Sequence, residues 1–67
     1  MSFQDNIAKI FSEAREAADL TQAEVAKKAG ISVNYYARVE RADPAASGVI
    51  LNKIAKALGL KIKLPLE

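Results

Sequence analysis

Gly30 constrains this chain more than any other residue, because it stands between two stretches that each carry the signals of a short helix. Thr21 followed by Glu24 makes a capping box, in which each side chain takes up the other residue's unpaired backbone N–H. A helix therefore starts at about Gln22. It runs only to Ala29, since glycine is the residue best suited to the left-handed conformation that ends a helix. Ser32 then caps the next helix, over residues 33–41.

The flanking segments read as further helices. Phe3, Ile7, Ile10, Phe11, Ala14 and Ala18 recur at helical spacing over about 3–18, with Ser2 as N-cap and Asp5 near the positive helix end. Asp43-Pro44 breaks the chain and Ser47 caps a last helix over about 47–58. Leu51, Ile54, Ala55 and Leu58 form its buried stripe and Gly59 ends it. Leu60, Ile62, Leu64 and Leu66 then alternate with Lys61, Lys63 and Pro65, the two-residue period of a strand. A short C-terminal strand over 60–66 is expected, at an edge because Pro65 cannot donate to a ladder; the alternative is a frayed tail. The fold class expected is all-α, a compact four- to five-helix bundle.

At 67 residues the chain makes one domain, 1–67, with a single core. A domain of that size buries only about 60% of its unfolded surface and is marginally stable. There is no cysteine to staple it, and without cysteine or histidine the usual zinc ligand sets are missing. Dimerisation is the support that remains. The net charge of +2 is too small to argue for nucleic acid alone. No apolar run approaches the roughly 18 residues of a membrane span, no signal peptide is evident, and no cofactor is expected. With neither histidine nor cysteine, the usual nucleophile, base and metal combinations are lacking, so no enzyme activity is expected. A cytoplasmic, nucleoid-associated location is expected.

The middle of the chain meets the packing demands of a helix-turn-helix, two helices crossing steeply around a short turn. Val25 and Ala29 lie on the inner face of the first helix, and Ala26 is small where the backbones approach. Ile31 plugs the turn, and Tyr36 and Val39 face inward from the second helix. At about 100° per residue, Asn34, Ala37, Arg38 and Arg41 then point outward, with Val33 and Tyr35 at the flanks. Such a helix places its N-terminal residues against base edges in the major groove of double-stranded DNA. Ser32, Val33, Asn34, Ala37 and Arg38 are the expected base contacts. Asn34 suits adenine, Arg38 suits guanine or a phosphate, and Val33 suits a thymine methyl. Gln22, Lys27, Lys28, Tyr35 and Arg41 are the expected phosphate contacts, Gln22 beside the free amides of a helix N-terminus. For the two lysines, pairing with Glu24 along the helix is the equal alternative. For Tyr35 the alternative is covering the core.

With these residues in view, the chain resembles the xenobiotic-response-element (XRE) type helix-turn-helix superfamily, which includes the lambdoid phage repressors and Cro proteins. The resemblance runs over about residues 10–60. It rests on LTQAEVAKKAGIS at 20–32, RVE at 38–40 and KIAKALGL at 53–60. It implies the fold of the lambda-repressor DNA-binding domain and a structural ion pair between Arg15 and Glu40. Two departures stand out. Where relatives often carry glycine and a basic residue after the second helix of the motif, this chain has Ala42-Asp43, and an acid there is expected to repel DNA. Gly48 and Asn52 replace residues that are usually apolar, with Val49 and Ile50 available to pack instead or to face a partner.

The tail is similar to that of antitoxin regulators related to the one in the persistence-kinase toxin operon, whose C-terminal strands pair across a dimer. That likeness implies a homodimer interface at Leu60, Ile62 and Leu64, with the last helix as the alternative interface. The expected function is a sequence-specific transcriptional regulator, a repressor acting as a homodimer on a palindromic operator. The alternative is an antitoxin-type interaction module that binds a toxin-like protein and regulates its own operon.

Overall fold

The computed structural model describes residues 2–43 and 46–61. Four helices follow in order among them: α1 (Phe3–Ala17), α2 (Gln22–Ala29), α3 (Val33–Glu40) and α4 (Gly48–Ala57). The all-helical class holds, and α2, the turn at Gly30 and α3 form the helix-turn-helix. None of the described helices is long and apolar enough to cross a membrane. Of the strand expected at 60–66, only Leu60 and Lys61 are described, and neither is in a strand; residues 62–66 lie outside the described residues.

Each helix starts by one rule. Ser2, Thr21, Ser32 and Ser47 sit in extended conformation, and each hydroxyl accepts the N–H three residues on. The acceptor distances are 3.1 Å to Asp5, Glu24 and Tyr35 and 3.3 Å to Ile50. Asp5 and Glu24 return the favour to the cap's own N–H, completing two capping boxes.

Each helix also ends by one rule. Asp19, Gly30, Ala42 and Gly59 are left-handed, with φ of 59°, 73°, 64° and 71°. The residue after each returns its N–H to a carbonyl five positions back. These bonds are Leu20 to Arg15 and Asp43 to Arg38, both 3.1 Å, Ile31 to Ala26 at 3.0 Å, and Leu60 to Ala55 at 2.8 Å. They satisfy carbonyls that the end of a helix would otherwise leave unpaired.

α2 packs on both α3 and α4, and α1 packs on α3. Ile7 and Phe11, Val25, Ala26 and Ala29, Tyr36 and Val39, and Leu51, Ile54 and Ala55 close one core. Burying a side chain such as Phe11 or Ile54 contributes roughly 1.5–3 kcal/mol, more than a cap's ~1 kcal/mol. Caps therefore set the helix boundaries, while the core holds the helices together.

The apolar stripe of α1 differs from expectation. Phe3 and Ile10 are 42% and 39% exposed, and Ala18 is exposed, while Ala8 is buried. Phe3 and Ile10 are seven positions apart, so they share one edge of the stripe, turned away from the face that Ile7, Ala8 and Phe11 press on the core. In α4, Gly48 is buried, Ile50 packs against the core and Val49 is exposed.

Candidate nucleic-acid interface

The inner and outer faces of α3 are sharply divided. Tyr36 and Val39 are buried in the core, while Ser32, Val33, Asn34, Arg38 and Arg41 are exposed. Ala37 is half-buried between them, and Tyr35 is half-buried and packs against the core. Tyr36, whose volume is wholly enclosed, anchors the helix so that the outward set is carried on a fixed support. The Ser32 hydroxyl accepts the Tyr35 N–H as the helix cap and keeps its own O–H to donate.

Arg38 is engaged by a residue expected to oppose DNA binding. Its Nε donates to Asp43 Oδ2 at 2.9 Å, with the side chains 49% and 29% exposed. The left-handed Ala42 turns the chain back, and the Asp43 N–H bonds the Arg38 carbonyl, so the two side chains meet. Asp43 is therefore not a bare negative charge but the partner of the principal basic residue of α3. An exposed pair of this kind contributes about 0–1 kcal/mol to stability.

Behind α3 lies a stronger cluster. Arg15 donates to the Glu40 carboxylate through Nε at 2.7 Å and Nη2 at 3.2 Å, and through Nη1 to the Leu20 carbonyl at 3.0 Å. Gln22 Nε2 adds a third bond to the same carboxylate at 2.9 Å. The side chains of Arg15 and Glu40 are 17% and 8% exposed. Burial pushes the Glu40 carboxyl up, but the bonds from Arg15 and Gln22, with the Tyr36 hydroxyl nearby, outweigh it and hold the group below its usual range. Glu40 in turn raises the Arg15 guanidinium. Burial first, and then the Glu40 carboxylate, push the Tyr36 phenol well above its ordinary value.

Gln22 thus differs from a side chain free to meet a phosphate. Its amide nitrogen points back to Glu40, and with the Glu24 N–H taken by the Thr21 hydroxyl, the Gln22 and Ala23 backbone N–H groups of α2 remain for an anion. Lys27 and Lys28 are exposed. Glu24 is held below its usual range first by the Thr21 backbone N–H and hydroxyl, and more weakly by the charge of Lys28. Lys28 also joins Lys53 and Lys56 along a shallow groove between α2 and α4. Sequence reasoning singled out neither Lys53 nor Lys56. The signal was their three-residue spacing, which puts both on one side of α4. Leu60, expected at a dimer interface, is partly buried against its own core. Ile62 and Leu64 lie outside the described residues.

The outward set combines a planar amide, two guanidinium groups and an apolar side chain on a helix anchored from behind. These are hydrogen-bonding and apolar groups suited to base edges. The family described as helix-turn-helix matches the chain over residues 11–64. None of the curated proteins matches it.

Proposed function

The chain belongs to the XRE-type helix-turn-helix family of DNA-binding regulators, and from that premise we propose that it is a homodimeric repressor that reads a palindromic operator with α3. The observation that carries the reading is the outward face of α3, which holds Val33, Asn34, Arg38 and Arg41 exposed over a buried Tyr36 and Val39. In this reading α3 enters the major groove. Ser32, Val33, Asn34, Ala37 and Arg38 meet base edges, while the first turn of α2, Lys27, Lys28, Tyr35 and Arg41 meet phosphates. A two-fold dimer presents two such helices to half-sites about 34 Å apart. Binding occludes a promoter, in the cytoplasm and on the nucleoid. Asn34→Ala with Arg38→Ala is expected to abolish selective binding, measured by selection from random duplex DNA, with helical circular dichroism unchanged. A double variant that still selects the wild-type sequence overturns the assignment of α3.

A second reading, an antitoxin-type module that binds a toxin-like protein, is favoured by the exposed Phe3 and Ile10 edge of α1. Apolar side chains aligned on one helix edge suit a protein surface more than DNA. Stable co-purification with the product of a neighbouring gene, lost in Phe3→Ser with Ile10→Ser, supports it. Unchanged co-purification argues against that edge.

A further inference from the structure

The four helix ends share one backbone bond, and that bond carries the returning side chain back toward the residue five positions earlier. At three of the ends the returning residue is Leu20, Ile31 or Leu60, and each packs against the core. At the fourth it is Asp43, and the side chain it meets is Arg38. The exception falls at the end of α3, the helix read as the one that meets base edges. We propose that Asp43 is a positioning residue that sets the base preference of Arg38; the inference rests on the reading of α3 as the base-reading helix.

The chemistry follows from the shape of the guanidinium. It is a planar fork of five N–H donors. Asp43 accepts from Nε, and the edge formed by Nη1 and Nη2 is the one left to meet a base. Two parallel donors on that edge match the O6 and N7 acceptors of guanine. Held at one corner by a shorter and less exposed side chain, Arg38 loses much of its rotamer freedom before it meets DNA. The carboxylate also offsets its charge. A phosphate, which carries no sequence information, then attracts Arg38 less, while the directional pair of bonds to guanine is retained.

Selection from random duplex DNA on the wild type, Arg38→Ala, Asp43→Ala and Asp43→Asn tests this, with titrations on selected and scrambled duplexes. The position flattened by Arg38→Ala defines the base that Arg38 reads. Asp43→Ala is expected to flatten the same position, losing most of the roughly 5- to 150-fold preference of a bidentate guanine contact, with the other positions unchanged. Asp43→Asn, whose amide oxygen still accepts from Nε, is expected to retain that preference while binding scrambled DNA more tightly. A guanine preference that survives in Asp43→Ala overturns the proposal. So does identical behaviour of the two Asp43 variants, which makes the carboxylate a charge and nothing more. A wild type that selects no sequence overturns the DNA-reading assignment of α3, and this inference with it. A wild type that selects, beside an Asp43→Ala that selects equally, overturns this inference alone.

Discussion

Glu40 joins three helices through one side chain: it ends α3 and accepts from Arg15 of α1 and Gln22 of α2. Its worth is best judged by what removal of a partner leaves behind. Arg15→Ala strands a nearly buried carboxylate, and breaking such a pair costs about 3 kcal/mol or more. That is a large share of what a domain this small has to lose. Urea denaturation should show the loss directly, and a cost under about 0.5 kcal/mol would put the pair in the class of weak surface bridges. Gln22→Ala removes one hydrogen bond from a carboxylate that keeps two others, so a loss nearer 1 kcal/mol is expected in the same assay.

At the scale of the helix, the four ends make an internal comparison. Two of the left-handed positions are glycine and two are not, with Ala42 the less suited because aspartate tolerates that conformation better than alanine. Ala42→Gly is expected to stabilise by about 1 kcal/mol, raising the thermal midpoint by roughly 4–8 °C in a domain of this length. Asp19→Gly should give less; an Ala42→Gly midpoint at or below wild type would contradict the strain. The helix starts were legible because a capping hydroxyl, joined in α1 and α2 by an acid three residues on, acts locally. So were the steric demands at Val25, Ala26, Ala29, Gly30, Ile31, Tyr36 and Val39, which the fold meets. The Arg38–Asp43 contact was not legible, because alanine at 42 does not advertise a left-handed turn, and without that turn Asp43 reads as an isolated charge. Phe3 and Ile10 misled for a different reason: periodicity finds the apolar stripe but not which of its edges the neighbouring helix leaves bare.

For the molecule as a whole, the direction of the Glu40 shift sets a pH dependence. A carboxyl whose folded value lies below its unfolded value, about 4.3 for glutamate, contributes stability that is complete above that value. The contribution is lost as pH falls through the folded value. Arg15 stays charged throughout and opens no window of its own. The wild type should therefore lose stability progressively below about pH 4. Glu40→Gln should be less stable at pH 7 and approach the wild type in acid, as denaturation at a series of pH values would reveal. A gap between the two that stays constant down to pH 2 would contradict the linkage. The cluster has a further consequence, in kinetics and entropy. With Tyr36 enclosed and Glu40 bonded to two other helices, α3 has no cheap way to open by itself. Its amide hydrogens should exchange with solvent only when the whole fold opens, and a partner that meets α3 meets a helix whose ordering cost is already met.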